Sequence, residues 1–270
     1  MPQPRVLILR APGTNCDLET AHAFELAGAR CERRHVNALL ESPGSLADFQ
    51  ILCLPGGFSY GDDLAAGRIL GSQLKRRLAD AMQTFKHAGK LILGICNGFQ
   101  ILLKSGLLAA DEPGAGAPLT LTWNASARFE ARWVTVRVTG SRSVFFAGIE
   151  RLYLPIAHAE GRLVARDPAY LAELERAGRI VLRYAAPDGS TLVGGELLPF
   201  PFNPNGASDN VAALCDETGR VCGLMPHPER HIDPLQHPHW TRRRAQPPAG
   251  DGLAVFRNAV EYFQNGAGSG

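Results

Sequence analysis

The sequence predicts an α/β protein: an open, mixed, mostly parallel sheet with helices on both faces. Three observations carry that expectation. Short, branched apolar runs alternate with helical stretches through the first 105 residues. Loops containing glycine follow the runs that end at Leu9, Leu54 and Ile95. Past residue 110 the runs alternate apolar with polar residues, the pattern of antiparallel strands.

The elements follow in order. A strand is expected over 6–9, and a helix over 17–27 that stops at Gly28. Strands are expected at 31–36 and 51–54, then one long helix over 69–87. A buried strand is read at 91–95, bounded by Gly89, and a helix from 97 that Gly106 closes. Residues 111–118 are rich in Gly, Pro and Ala and read as a loop. Short strands are placed at 132–139, 151–155, 180–184, 211–215 and 221–225, and a closing helix at 252–263. No linker-like segment divides the chain, so a single domain is expected over 1–270, with 265–270 a frayed tail.

Composition narrows the function classes. The chain has 270 residues, 45% of them hydrophobic and 20% charged, enough for a large core. A net charge of +2 makes no electrostatic case for nucleic acid or a membrane surface. No apolar stretch reaches the ~18 residues of a membrane span. The start, MPQPR followed by VLIL, lacks the layout of a signal peptide. The cysteines at 16, 31, 53, 96, 215 and 222 form no CxxC pair or regular framework. A reducing cytoplasm is the expected setting, with most of them acting as small hydrophobes.

One cysteine stands apart. In LILGICNGFQILL, Cys96 sits between a strand and a helix, with Gly94 and Gly98 two residues to either side. Glycine lets the turn tighten and neighbouring chains come close. That is the layout of a nucleophile elbow with sulfur in place of oxygen. The helix N-terminus favours thiolate over thiol. Such a nucleophile needs a base, and the base needs an orienting acid. Two His-x-Glu pairs offer them: His158 with Glu160, and His227 with Glu229. Residues two apart in an extended stretch share a face, so either carboxylate can hold its imidazole. Pro226 and Pro228 stiffen the second pair, and context leans toward it without deciding.

Pro55-Gly56-Gly57 follows the strand at 51–54. A backbone N–H near Gly57, with that of Asn97, would form an oxyanion hole if the sheet brings the two together. A rival reading is a zinc site from His227, His231, His237 and His239, but the prolines among them rule out a helical HExxH arrangement. No GxxxxGK[ST] and no strand–GxGxxG–helix is present.

With these residues in view, the chain resembles the triad-type (class I) glutamine amidotransferases. GICNGFQ (94–100) is similar to their nucleophile motif, HPE (227–229) to their His-x-Glu, and PGG (55–57) to their oxyanion strand. RAPGTNCDLET (10–20), PGGFSYGDDLAAG (55–67), NPNGASDNVAAL (203–214) and GLMPHPER (223–230) narrow the resemblance to the glutaminase subunits of phosphoribosylformylglycinamidine synthases. The insert-like 232–250 region departs from it, as does a length somewhat greater than that of the shortest family members.

That resemblance implies a flavodoxin-like fold and hydrolysis of glutamine through a cysteine thioester. It implies Cys96 as nucleophile, His227 as base, Glu229 as orienting acid, and Gly57 and Asn97 as oxyanion donors. Gln100, Asn124 and Ser126 are expected to hold glutamine. The implied partners are a larger synthase subunit, which would carry ATP and magnesium, and a small accessory subunit. No metal or cofactor is expected in this chain. A glutaminase serving another acceptor, such as an imidazole-glycerol-phosphate or anthranilate pathway, and a non-catalytic assembly subunit remain as alternatives.

Overall fold

The computed structural model describes residues 3–112, 114–140, 142–243 and 245–266, so the expected tail lies outside the described residues from 267 on. The chain opens with β1 (Arg5–Arg10), α1 (Asp17–Leu26), β2 (Arg30–His35), α2 (Val36–Glu41) and β3 (Ile51–Leu54). Next come α3 (Arg68–Arg77), α4 (Ala79–His87), β4 (Leu91–Ile95) and α5 (Asn97–Ser105). The second half supplies β5 (Leu119–Thr122), β6 (Glu130–Val138), β7 (Arg151–His158), β8 (Arg162–Ala165), α6 (Pro168–Arg176), β9 (Ile180–Ala185), β10 (Val211–Cys215), β11 (Val221–Leu224) and α7 (Leu253–Gln264).

Nine strands form one mixed sheet in the order β2-β1-β3-β4-β11-β10-β9-β6-β7, and β5 and β8 form a small antiparallel pair. From β2 to β11 every neighbour is parallel. From β11 to β7 every neighbour is antiparallel. β3 and β4 are buried at every position, as strands covered on both faces must be.

The strand order reverses at β1: the chain goes one way to β2 and the other way to β3 and β4. Right-handed crossovers then place the helices on opposite faces. α1 meets α7, with the rings of Phe24 and Phe256 edge to face at 4.9 Å. α3 lies so close to α5 that a Cβ at Gly71 would come within 2.7 Å of the Lys104 Cβ. The reversal leaves a crevice at the carboxyl ends of β1 and β3, where open sheets bind ligands. The loops after β1, β3, β4 and β11 all emerge at that edge.

Two expectations change. The long helix over 69–87 is two helices, broken at Leu78, whose φ of −122° and ψ of 12° are not helical. The buried positions Leu70, Leu74, Leu78, Met82 and Phe85 keep helical spacing across the break, and neither glycine nor proline marks it. Hydrophobic periodicity therefore cannot reveal it. α6 was not expected, although Asp167 caps it by accepting from the Ala169 N–H at 2.8 Å and Pro168 occupies its first position. α2, β5 and β8 are further elements outside the expected set.

Candidate active site

Cys96 stands between β4 and α5 with φ of +53° and ψ of −105°, a region that non-glycine residues rarely enter. Such strain costs about 1–3 kcal/mol and persists only where the surroundings enforce it. Here the Cys96 N–H donates to the Leu224 carbonyl at 2.7 Å, and the Cys96 carbonyl accepts from Phe99 and Gln100 at 3.0 and 3.2 Å. The flanking glycines are obligatory. A Cβ at Gly98 would lie 1.8 Å from the Leu54 carbonyl oxygen, and one at Gly94 would lie 2.6 Å from the Gly98 oxygen. The Cys96 thiol is nearly buried, with Sγ 3.7 Å from the Ala157 carbonyl oxygen.

The two histidine pairs part company. His227 Nδ1 meets Glu229 Oε1 at 2.5 Å, and both residues are buried. Burial opposes charge on the ring, but the Glu229 carboxylate and the Cys96 and Cys16 thiols outweigh it. The ring therefore holds a proton well above the ordinary histidine range. His158 instead directs Nδ1 to Asn124 Oδ1 at 3.1 Å. Its ring lies under Gly161, where a Cβ would come within 2.2 Å of it. Burial, aided by the charge of His227, pushes its pKa down to about 3. Glu160 turns away, accepting from the Ala66 N–H at 3.3 Å. Only the His227 pair joins imidazole to carboxylate.

The loop after β3 lies against this pair. A Cβ at Gly56 would sit 2.8 Å from His227 Cε1 and 3.0 Å from Cys16 Sγ. The Gly56 carbonyl accepts from the N–H groups of Asn15 and Cys16 at 3.4 and 3.2 Å. In a planar trans peptide the following N–H points the opposite way, so that of Gly57 faces away from the 13–16 loop. Gly57 has φ of +141° and presses on that loop, leaving no room for a Cβ. Asn97 opens α5, where its backbone N–H has no partner within the helix. Its side chain donates to Asp62 Oδ1 and Gln100 Oε1 and accepts from the Ser59 N–H, tying the loop after β3 to the elbow. Burial raises the Asp62 pKa to about 6.

The three residues expected to hold glutamine have other partners. Gln100 is buried beside the elbow, donating to the Glu160 carbonyl at 2.7 Å and accepting from Asn97 at 2.9 Å. Asn124 uses its amide in full: it donates to the carbonyls of Arg128 and His158, and accepts from His158 Nδ1 and the Gly161 N–H. Ser126 is exposed and bonded to Glu130 and Arg128. In this structure Asn124 braces the site floor and Ser126 lies on a surface turn. Asn205 braces the same floor, donating to the Gly161 carbonyl and to the Tyr184 hydroxyl.

Sequence reasoning missed Cys16 and Arg230. Cys16 is buried, near His227, and its Sγ accepts from Arg230 Nη2 at 3.1 Å. Arg230 also reaches Glu19 at 3.3 Å. The signals were present, since Cys16 and Glu19 lie in the 10–20 motif and Arg230 closes the 223–230 motif. Ligand atoms of Cys16, His227 and Glu229 lie within 4.8 Å of one another, the only such group of metal-ligating side chains among the described residues. His227 Nδ1 is occupied by Glu229 and Cys16 Sγ by a guanidinium. The other histidines of the zinc reading go elsewhere: His231 Nδ1 to the Tyr153 carbonyl, and His237 Nδ1 to the His239 N–H. No helix among the described residues is long and apolar enough to cross a membrane.

Comparison with known proteins places this geometry. Residues 3–263 match the family described as the CobB/CobQ-like glutamine amidotransferase domain. The chain is 46% identical to the phosphoribosylformylglycinamidine synthase subunit PurQ of Dehalococcoides mccartyi, over 97% of this chain and 98% of that one. It is 36% identical to the PurQ subunit of Archaeoglobus fulgidus, over 96% of this chain and 97% of that one. A chain in the structure of PurLQS from Thermotoga maritima superposes with a TM-score of 0.71 at 31% identity, covering 97% of this chain and all of that one.

Proposed function

The chain belongs to the CobB/CobQ-like glutamine amidotransferase domain family, and from that membership we propose that it is the glutamine-hydrolysing subunit of a phosphoribosylformylglycinamidine synthase. The observation that carries the reading is the strained Cys96 elbow beside the buried His227–Glu229 pair.

The chemistry follows from those groups. Cys96 Sγ attacks the side-chain amide carbon of glutamine. His227 holds the thiol proton on its charged ring before attack and gives it to the departing nitrogen, releasing ammonia. Glu229 fixes the ring through Nδ1 and stabilises its charge, leaving Nε2 for the proton transfer. Nε2 is buried and has no other partner. The backbone N–H groups of Gly57 and Asn97 face the developing oxyanion. Water then cleaves the thioester to glutamate, with His227 as base again. Each catalytic role in this sequence falls to a protein group, so the proposal places no metal or cofactor on this chain. Gln100 acts from beside the nucleophile by fixing Asn97 and the Glu160 carbonyl, which line the approach to Cys96.

The ammonia serves a synthase subunit, as the PurLQS neighbour supports. ATP and magnesium belong on that subunit, and a small accessory subunit completes the complex. The test is reconstitution with the synthase subunit, following glutamate release and amidine product together. Stoichiometric formation of both is expected. Glutamate release without amidine product would assign the chain to a different acceptor.

A further inference from the structure

We propose that Cys16 is a positioning residue for His227, packing beside the imidazole at the Gly56 face and linking it through Arg230 to α1. The inference rests on the assignment of His227 as the base.

A set of close contacts carries it. Cys16 Sγ and His227 Cε1 both crowd the face of Gly56, 3.0 and 2.8 Å from the point a Cβ there would occupy. Arg230 Nη2 donates to Cys16 Sγ at 3.1 Å, and the thiol donates to Asn15 Oδ1 at 3.2 Å. Arg230 is in turn held by Glu19 of α1. The thiol is thus wedged between a glycine face, a guanidinium and the imidazole, with no freedom to leave. A ring fixed only by Glu229 could still pivot about its Nδ1 contact. A sulfur packed beside that edge stops the pivot and keeps Nε2 aimed at the nucleophile.

Charge supports the geometry. Burial pushes the Cys16 thiol above its ordinary pKa, and His227 works against that rise. Cys16 in turn favours the protonated ring. The charged and titratable groups that act on the ring are Glu229, Cys96, Cys16 and His158, with Arg230 one contact further out. Cys16 is therefore a neighbour of His227 that neither attacks substrate nor forms the imidazole–carboxylate bond.

The test uses the complex reconstituted with its synthase subunit. Cys16→Ala is expected to lower kcat for glutamine hydrolysis about tenfold, the low end for a lost contact to a charged group. KM for glutamine should hardly move. The alkaline limb of the pH profile should shift to lower pH, because the ring loses a neighbour that favours its proton. Cys16→Ser, which restores a polar group at the same place, should recover most of kcat and the limb. Ammonia-dependent synthesis should be unchanged in both. A Cys16→Ala complex with wild-type kcat and profile overturns the proposal. So does an equal loss of glutamine- and ammonia-dependent synthesis with an unmoved limb, the mark of a merely structural role. If Cys16→Ala does not fold, Arg230→Gln is read the same way. Retained glutamine turnover in Cys96→Ala would instead defeat the underlying assignment of the active site.

Discussion

At Cys96 the backbone strain and the thiol serve different ends, and substitutions separate them. Cys96→Ala removes only the sulfur. Glutamine-dependent synthesis should vanish while the assembled complex still uses added ammonia, and a coupled assay with either nitrogen source checks this. Gly98→Ala keeps the sulfur and attacks the turn. Its Cβ would meet the Leu54 carbonyl at 1.8 Å, so β3 and α5 must separate. A loss of about 1–3 kcal/mol in stability is expected, with loss of glutaminase activity, read by thermal melting beside glutamate release.

The two histidines diverge just as sharply. His227→Ala should cut glutaminase rate by about 10² or more, and Glu229→Gln by less, since it removes orientation but no proton transfer. Single-turnover acylation of Cys96 measures both. His158 acts on stability instead. Its folded pKa of about 3 lies below the unfolded value of 6.5. Between those limits the unfolded chain binds a proton that the folded chain refuses. Stability should therefore fall as pH drops below 6.5, by about 1.4 kcal/mol per pH unit. Urea unfolding of His158→Gln should show a pH slope flatter by that one proton.

Elements show where the sequence was legible. The parallel strands β1, β3, β4 and β11 announced themselves as short apolar runs, and the elbow as a cysteine bracketed by glycines. The break at Leu78 was hidden because the buried stripe runs on through it. The Asp167-Pro168 cap of α6 was a readable signal that went unread. Asp167→Ala should cost about 1 kcal/mol of stability and leave glutamine hydrolysis intact, as paired denaturation and activity assays would show. At the site, the linear motifs brought Cys96, His227 and Glu229 into view. They could not show that Asn124 spends its amide on His158 and Gly161, because those bonds depend on how β7 and the turn after it fold back.

Across the whole molecule the site depends on loops from both halves of the chain. The Gly56 carbonyl is held by two N–H groups of the 13–16 loop, so any reorientation of the Gly56–Gly57 peptide breaks both bonds. A synthase subunit docking at this edge would hold the peptide as it stands. With the peptide turned, the Gly57 N–H would no longer serve the oxyanion, and one such donor is worth a factor of about 10² to 10³. The isolated chain should hydrolyse glutamine slowly. Adding the synthase subunit with its ligands should accelerate glutamate release at least 10²-fold; equal rates would exclude gating.

β11 lies against β4 in the middle of the sheet, although it is the last of the described strands in chain order. On the ribosome, β4 therefore emerges with one edge bare and must wait for some 125 further residues before its neighbour arrives. The same delay separates thiol from imidazole, because His227 follows β11 by three residues. A chain interrupted before residue 227 would carry the proposed nucleophile without its proposed base and should not consume glutamine. The order of synthesis itself acts as a safety catch on ammonia release.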